Sequence, residues 1–418
     1  MKHESEVLVI GGGVVGICSA YYLTERGRTV TVIDKGEVCS GSSYGNAGLI
    51  VPSHSVPLAA PGVVSKALRW MLNPESPFYI KPRFDIEMLS WLWKFRSACN
   101  KRHVQKAMPI IRDLSLASLR LYEELAALEG LEFGFEKRGM LTAFKSEKGF
   151  KKGTEEAHLM GEIGIEVKIL NDVDIHTLEP NLRVNAIGGV FYPQDAHLIP
   201  ARFVRELARH IEKKGVKIYT TTEALGFETS GHKVTAVKTT RGDFVADEVV
   251  LAGGAWSPGI ARELRLKLPI QPAKGYSITV KRPGKCPVIP LSLAEARVGV
   301  TPMGETLRFA GTLEMAGLDF SVNQRRVDAI LKAVPDYLPD IVPANLELIE
   351  LWRGLRPCTP DGLPFLGRSR MYDNLTVAAG HAMIGVSLGP ITGSLVSQIM
   401  GREEPSIDLT ALRVERFD

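Results

Sequence analysis

Cysteine, long apolar runs and an excess of charge of either sign are all scarce in this chain of 418 residues. The five cysteines are far apart and form no CxxC pair, which argues against a disulfide framework and a structural zinc site and suits a reducing compartment. The 51 basic and 47 acidic side chains are spread along the chain, so no basic block is available to follow nucleic-acid phosphates. We therefore expect neither a metal centre nor a nucleic-acid partner.

Membrane insertion is also not expected, because no run approaches the roughly 18 to 20 uncharged apolar residues of a spanning helix. The opening residues, MKHESEVLVIGGG, include acids and lead directly into a glycine turn, so we predict no signal peptide and a cytoplasmic location. Residues 66–95 hold three of the five tryptophans beside several cations. Peripheral contact with the inner face of the cell membrane therefore stays open, beside the alternative that Trp70, Trp91 and Trp93 simply cover a domain face.

A glycine-rich turn near the start of the chain is the first sign of a function. Residues 6–10 form a short apolar run suited to a buried parallel strand, and Gly11, Gly13 and Gly16 then complete the pattern GxGxxG. In such a turn glycine allows tight bending, close approach of the backbone to a pyrophosphate, and packing of helix on strand. The pattern predicts a nucleotide site between strand and helix.

The residues after this turn supply the context that the motif requires. Residues 14–26 predict a helix ended by Gly27, and residues 29–33 predict a second strand that ends at Asp34. Asp34 follows Gly16 by 18 residues, where folds of this type hold a ribose hydroxyl, although an acid may also simply cap a strand end. An adenine dinucleotide is therefore predicted, with NAD and FAD both open.

The next segment favours FAD. Residues 39–53, CSGSSYGNAGLIVPS, offer many backbone amides and hydroxyl groups to a second phosphate and a polyhydroxylated chain. An NAD-binding fold usually continues into its helix at this point. An ordinary surface loop would have the same composition, so this segment alone does not decide between the cofactors.

Four motifs, in order along nearly the whole chain, carry a resemblance to a known family. They are the glycine turn with Asp34, GSSYGNAGLI at 41–50, PAKGYSI at 272–278, and WRGLRPCTPDGLPFLG at 352–367 followed by AAGHAMIGVSLGP at 378–390. The chain resembles the flavoprotein family of D-amino acid oxidases and dehydrogenases, which includes glycine and sarcosine oxidases, and within it the bacterial D-amino acid dehydrogenases. The first motif is shared by many flavoproteins, whereas the C-terminal pair is specific.

The resemblance implies an α/β fold with two interwoven domains. A Rossmann-like FAD-binding domain of the glutathione reductase type would comprise residues 1–60, 196–270 and 352–418, and an α+β substrate domain with a mixed sheet would comprise residues 61–195 and 271–351.

The middle FAD-binding segment supports this division from its own pattern. Residues 202–228 read as an amphipathic helix, a cap at Gly215 and a strand, and residues 233–257 as a hairpin with a buried strand entering Gly253 and Gly254.

The resemblance also implies an activity, namely FAD-dependent oxidative deamination of D-amino acids to 2-oxo acids and ammonia, by hydride transfer from the α-carbon to flavin N5. Such chemistry depends on positioning, and a planar guanidinium suits a substrate carboxylate. Arg356 resembles the carboxylate-binding arginine of the family, with an ion pair to Asp361 as the structural alternative. Tyr276 could hydrogen-bond the substrate or be a core tyrosine, and His381 could act at the flavin or only cap the last helix.

The residues expected to contact FAD cluster in the motifs named above, and amides at the start of the last helix would stabilise negative charge on the flavin pyrimidine ring. They are Gly11, Gly13, Val15, Gly16, Asp34, Lys35, Ser42, Ser43, Asn46, Ala47, Gly48, Leu49, Gly253, Gly254, Gly354, His381, Met383, Ile384 and Gly385.

Two departures from the family pattern refine the expectation. Met383 stands where glycine oxidases carry a second arginine, which points away from glycine or sarcosine and towards a larger or apolar side chain. Cys358 is out of register with the cysteine that attaches FAD covalently in some relatives, so non-covalent FAD is expected. Electrons would pass to a quinone or partner protein.

The alternatives that stay open are an oxidase that uses dioxygen, a dehydrogenase of D-proline or hydroxyproline, a flavin-binding relay subunit and an NAD dehydrogenase. The sequence leaves undecided the side-chain preference, the acceptor and the oligomeric state.

Overall fold

The computed structural model describes residues 2–71, 73 and 75–418, and within them the chain forms two large sheets with flanking helices. The strands are β1 Lys2–Ile10, β2 Val30–Ile33, β3 Leu49–Ile50, β4 Phe78–Ile80, β5 Met140–Phe144, β6 Lys168–Leu170, β7 Gly188–Tyr192, β8 Ala196–His197, β9 Lys217–Tyr219, β10 Ala224–Ser230, β11 Lys233–Thr239, β12 Gly242–Leu251, β13 Gln271–Lys281, β14 Leu291–Leu293, β15 Val298–Met303, β16 Thr306–Met315, β17 Leu348–Cys358, β18 Phe365–Arg368 and β19 Leu375–Ala379.

The α-helices are α1 Val14–Glu25, α2 Val63–Met71, α3 Ile86–Ala98, α4 Lys101–Ala126, α5 Glu147–Glu162, α6 Asp172–Leu178, α7 Pro200–Lys213, α8 Ser257–Arg262, α9 Gln324–Tyr337 and α10 Gly389–Met400. Short 3₁₀ turns span Gly254–Trp256, Pro343–Asn345 and Thr410–Leu412. None of the helices in these described ranges is long and apolar enough to cross a membrane.

The first sheet has the parallel centre that a dinucleotide-binding fold requires. β1 lies between β12 and β2 and runs parallel to both, β9 continues the sheet beyond β2, and β19 pairs in parallel with β12. The predicted strand–turn–helix–strand unit is confirmed, with β1 starting earlier than expected and Gly27 in the left-handed conformation after α1 (φ +76°). The predicted helix, Gly215 turn and hairpin of the middle segment are confirmed as α7, β9, β10, β11 and β12.

The second sheet is mixed and carries the long strands β13, β16 and β17 side by side. The predicted α/β fold with a mixed second sheet is therefore present. Both faces of β13 are covered: Tyr276 and Ile278 enter a core packed against α9, while Gly275 and Ser277 face the other way.

Two elements depart from the predicted domain limits. The boundary placed at residue 352 cuts through β17, whose residues from Leu348 to Cys358 pair with β13 in the second sheet. Helix α4 lies within the predicted substrate segment 61–195, yet Ile111, Leu114 and Tyr122 pack into the core under the first sheet, against α1 and α10. Helix α4 packs there because its apolar stripe must be buried, and the segment in which a helix lies along the chain does not decide which core buries it. The limits of the two domains otherwise stay a prediction.

Candidate active site

The glycine turn between β1 and α1 is shaped by close backbone contacts. Gly11 has φ +122°, and a Cβ on it would lie 2.4 Å from the carbonyl oxygen of Ala252. A Cβ on Gly16 would lie 1.8 Å from the carbonyl oxygen of Gly11, so both positions need glycine for the turn to pack. Among the described residues, an added Cβ at Gly13 would lie within 4 Å only of Ser43 Oγ, at 3.4 Å. Gly13 therefore leaves room at the helix start that the protein itself does not fill.

The start of α1 has the features of an anion site. Its first turn carries no acidic side chain, and the amide of Val14 donates to Ser43 Oγ at 3.0 Å. Val15, also predicted to contact the cofactor, lies buried in this turn. The backbone amides of a first helical turn and the positive end of the helix dipole favour a phosphate group here.

Asp34 lies beside this turn, at the carboxyl end of β2. Its Oδ2 accepts from the Gly12 amide at 2.6 Å and its Oδ1 from the Gly36 amide at 2.7 Å. Burial raises the pKa of Asp34, and these two hydrogen bonds oppose the rise. Its neighbour Lys35 places its ammonium 4.0 Å from the ring centroid of Trp256, next to the turn that begins at Gly254. Lys35 therefore lies near the turn that follows Gly253, and a nucleotide contact by Lys35, Gly253 and Gly254 stays a prediction.

The loop 41–50 connects the glycine turn to the rest of the site. Ser43 meets α1, and the Oγ of Ser42 donates to the carbonyl oxygen of Leu355 in β17. The side chain of Asn46 accepts from the Gly48 amide at 2.8 Å and donates to the carbonyl oxygen of Met383 at 3.4 Å. This loop, which we call the cofactor loop, thus joins three of the four predicted motifs.

The rest of the cofactor loop and the turn before α10 are accessible. Ala47 is partly exposed, and Leu49 pairs with His197 between β3 and β8. Residues 382–385, which include Met383, Ile384 and Gly385, are partly or fully exposed between the buried runs 378–381 and 386–390. Side chains here are open to a ligand that would cover them.

Arg356 lies on β17 of the second sheet, and its guanidinium covers Gly275 of the neighbouring strand β13. A Cβ on Gly275 would lie 1.8 Å from Nη1 of Arg356, and the same nitrogen donates to the carbonyl oxygen of Thr312 at 2.7 Å. The described part of the chain gives Arg356 no ion pair, and the alternative partner Asp361 is bound instead by Arg416, with Nε 2.8 Å from Oδ2. Burial lowers the pKa of Arg356. A partly buried cation without a counter-ion suits an anionic ligand.

Trp352 is a residue of this site that the sequence reasoning missed. Its indole lies against Gly354 of its own strand and Gly45 of the cofactor loop, where added Cβ atoms would be 1.9 Å and 2.1 Å from the ring. Trp352, Gly354 and Arg356 share one face of β17 because successive side chains alternate. That period of two was the signal that could have identified Trp352.

Tyr276 is not where the sequence reasoning expected it. Its ring is buried among Ile278 and Val280, on the face of β13 opposite Gly275, and its hydroxyl oxygen accepts from the Asn323 amide at 3.0 Å. Ser277, the next residue, lies on the Arg356 side instead, and its buried Oγ has no hydrogen-bond partner among the described residues. The position of Tyr276 favours its alternative role as a core tyrosine over a contact with substrate.

Replacing Tyr276 by phenylalanine should leave the kinetics of substrate oxidation within about twofold of wild type, because the hydrogen bond that is lost lies on the face of β13 opposite Arg356. Unfolding free energy should fall by about 1 kcal/mol, the usual net worth of such a bond. Steady-state kinetics and urea unfolding measure both effects. A fall in kcat of tenfold with unchanged stability would return Tyr276 to the active site.

His381 is a buried residue that packs against α10. Its Nε2 lies 3.0 Å from Thr392 Oγ1, and its backbone forms an isolated antiparallel β-bridge with that of Cys358. Burial lowers the pKa of His381 to about 4, so the imidazole is neutral near pH 7. These contacts favour the packing role left open by the sequence, and they are not a helix cap, because Leu388 is the N-cap of α10 and has no side-chain cap hydrogen bond. The marks of the following helix are confirmed, since α10 has Pro390 in its first turn and ends before Gly401.

Cys358 offers no reactive thiolate beside this histidine. It is fully buried, and burial raises the pKa of its thiol to about 12.

Together these elements define a dinucleotide-binding enzyme whose cofactor site is joined by one loop to a cation for an anionic ligand. The residues present fit FAD. There is open space at Gly13, the first turn of α1 has no acidic side chain, and an acid stands at the end of β2. A partly exposed polar loop then leads to the second sheet. Asp34 would hold the ribose, the α1 amides the diphosphate, and the cofactor loop with residues 382–385 the flavin.

Comparison with known proteins identifies the family. Residues 6–399 match the DAO family, described as FAD dependent oxidoreductase. The D-amino acid dehydrogenase of Granulibacter bethesdensis is 32% identical over 98% of this chain and 99% of its own length, and that of Vibrio atlanticus is 31% identical over 99% and 100%. The chain therefore belongs to the DAO family of FAD-dependent oxidoreductases.

Solved structures show the same fold. Glycine oxidase from Geobacillus kaustophilus superposes with a TM-score of 0.79 at 24% identity, over 100% of both chains. L-proline dehydrogenase from P. horikoshii superposes with a TM-score of 0.77 at 20% identity, over 100% of this chain and 98% of that one.

Proposed function

We propose that this protein oxidises D-amino acids to 2-oxo acids and ammonia with non-covalently bound FAD, and passes the electrons to a quinone or a partner protein. The observation that carries the proposal is Arg356, a guanidinium that has no counter-ion among the described residues and lies on the sheet face that meets the cofactor loop. Two relatives that match nearly the whole chain are named D-amino acid dehydrogenase.

The residues of this chain would act mainly by positioning. Arg356 would bind the substrate carboxylate through paired hydrogen bonds, and this would fix the α-carbon against the flavin. Bound FAD would accept the hydride from that carbon. Water then adds to the resulting imine, and a 2-oxo acid and ammonium leave. No side chain need remove a proton if the substrate enters with a neutral amine.

The chain also supports a substrate larger than glycine. Met383 stands where glycine oxidases carry a second arginine. Its side chain is exposed, and its carbonyl oxygen accepts a hydrogen bond from Asn46 of the cofactor loop. A thioether there would pack an apolar side chain rather than bind a second carboxylate. The buried, protonated thiol of Cys358 supports non-covalent FAD.

The test of this function is an anaerobic panel of D- and L-amino acids added to the yellow holoenzyme. Several apolar D-amino acids should bleach the flavin, and their L-enantiomers and glycine should not. If none of the amino acids bleaches the flavin while dithionite still does, the proposed substrate class is contradicted. Stoichiometric peroxide in air, with no turnover on quinone, would instead indicate an oxidase.

A membrane surface is the proposed site of electron delivery. Helix α3 buries Met88, Trp91 and Phe95 on one face and exposes Ile86 and Trp93 on another, with exposed fractions of 72% and 71%. Phe84, just before the helix, is 92% exposed. Of the tryptophans expected either to contact a membrane or to cover a domain face, Trp91 is therefore a core residue and Trp93 is exposed. We propose that this exposed stripe, followed by Arg96, rests on lipid, with Glu87 beside it paired to Arg262.

Replacing Ile86 and Trp93 together by glutamate should reduce binding to phosphatidylglycerol vesicles by at least about 10-fold, since each large apolar side chain is worth about 1.5–3 kcal/mol on burial. Ile349→Glu is the matched control, because Ile349 is an exposed apolar residue in β17. Vesicle co-sedimentation measures the effect. Equal binding of the double variant and wild type, or no binding of wild type, would contradict membrane contact through α3.

A further inference from the structure

Arg308 is a buried arginine that neither the motifs nor the family comparison singles out. It lies on β16 directly opposite Thr279 of β13, and Thr279 in turn pairs with Glu350 of β17. Residues in register share a face, so Arg308 lies on the side of the second sheet that also carries Trp352 and Arg356. Only 7% of Arg308 is exposed.

The hydrogen bonds of Arg308 cross from the second sheet to the cofactor loop. Its Nε donates to Thr279 Oγ1 at 3.0 Å, which fixes the plane of the guanidinium. Its Nη1 donates to the carbonyl oxygens of Tyr44 and Asn46, at 3.2 and 2.8 Å. These carbonyls flank Gly45, the residue that packs on the Trp352 indole. One side chain therefore holds both sides of the loop tip.

The choice of arginine for this contact has a physical cost. Burial lowers the pKa of Arg308, and the charge of Glu350 partly offsets this lowering. Within the described ranges the hydrogen bonds of Arg308 go to neutral oxygens. Burying a guanidinium costs free energy unless its donors are hydrogen-bonded, and the planar fork of Arg308 reaches one hydroxyl and two carbonyls at once. Lysine, with a single nitrogen, cannot reproduce that geometry.

We propose that Arg308 is a positioning residue: it holds the cofactor loop against the sheet that carries Arg356 and so fixes the flavin relative to the bound substrate. This inference rests on the proposed function for its substrate but not for its effect on FAD. The loop also contacts α1 through Ser43 and the turn before α10 through Asn46, so a loop released from Arg308 would disturb the whole flavin contact.

The experiment compares Arg308→Met, Arg308→Lys and Thr279→Val with wild-type holoenzyme. FAD affinity is measured from flavin fluorescence on dilution, and the rate of anaerobic flavin reduction is measured at saturating D-amino acid. Arg308→Met should weaken FAD binding at least about 10-fold and slow reduction at saturation by a similar factor, with substrate Kd within about threefold because Arg356 is intact. The FAD affinity and reduction rate of Arg308→Lys should lie between those of Arg308→Met and wild type, and Thr279→Val should change both only slightly.

The matched control is Arg205→Met. Arg205 is an exposed cation 5.3 Å above the Tyr44 ring, so it touches the same loop without spanning to the second sheet. Its FAD affinity and reduction rate should stay within twofold of wild type. Arg308→Met with FAD affinity and reduction rate within twofold of wild type would overturn the proposal.

Two further arms keep the test decisive. If Arg308→Met does not fold, a lysine variant equal to wild type in both readouts overturns the proposal just as clearly. If no D-amino acid reduces wild-type flavin, the proposed function fails, and the FAD-affinity comparison still tests Arg308.

Discussion

Replacing Arg356 by methionine should lower kcat/KM for D-amino acids by about 10²- to 10⁴-fold, because removing the charged partner of a buried ion costs about 3–5 kcal/mol. Stability should change little or rise, since the free protein loses a cation that has no counter-ion in the described part of the chain. Arg356→Lys should recover only part of the activity, because an ammonium cannot form the paired hydrogen bonds of a guanidinium. Steady-state kinetics and thermal unfolding measure the two effects.

Arg353 provides the control for this prediction on the same strand. It is exposed, lies on the opposite face of β17, and its Nε donates to the carbonyl oxygen of Phe320. Arg353→Met should keep kcat/KM within about threefold. Equal losses in the two variants would mean that charge near β17, rather than a carboxylate site, governs activity, and an active Arg356→Met holoenzyme would remove the basis of the proposed function.

Replacing Gly13 by glutamate should abolish FAD binding while the protein keeps its fold. An added Cβ at Gly13 meets only Ser43 Oγ, and the backbone of Gly13 (φ −79°) suits any residue. A carboxylate at the start of α1 should stabilise the helix by about 0.3–1 kcal/mol, yet it would fill the diphosphate site with negative charge. The variant should therefore be colourless, with an unchanged or raised Tm relative to the FAD-free wild type.

Two other glycines separate cofactor binding from folding. Gly16→Ala should lower the stability of the FAD-free protein, because its Cβ would collide with the Gly11 carbonyl, whereas Gly259→Ala meets no atom and should be harmless. Measuring FAD content and Tm for all three variants tests this ordering. Gly13→Glu protein that purifies yellow, with FAD bound at normal affinity, would show that the diphosphate lies elsewhere.

The parts of this site that sequence could predict are those encoded by local pattern. The turn at Gly11 and the helix α1 follow from a glycine spacing and a run of apolar residues within one short segment. The face of Tyr276 was also encoded, because Tyr276, Ile278 and Val280 alternate with smaller residues along β13. The family resemblance drew attention to Tyr276, and the period-two pattern would have corrected it.

Other features depend on contacts between distant parts of the chain. Arg308 donates a hydrogen bond to Asn46, which is 262 residues away in the chain, and the local sequence around either residue does not predict that bond. The packing of α4 on α10 and the pairing of β17 with β13 are likewise settled by which apolar surfaces meet after folding. Sequence periodicity gives the buried face of such an element but not its partner.

The central claim, that Arg356 binds a carboxylate beside the flavin, is tested most directly with a ligand that cannot react. Benzoate, an anion without an amine, should perturb the visible absorption of the wild-type holoenzyme in a saturable manner, and neutral benzamide should not. Arg356→Met holoenzyme should bind benzoate at least about 100-fold more weakly, the loss expected for an unpaired carboxylate. Equal benzoate affinity in wild type and variant, or no spectral change in wild type, would contradict the account.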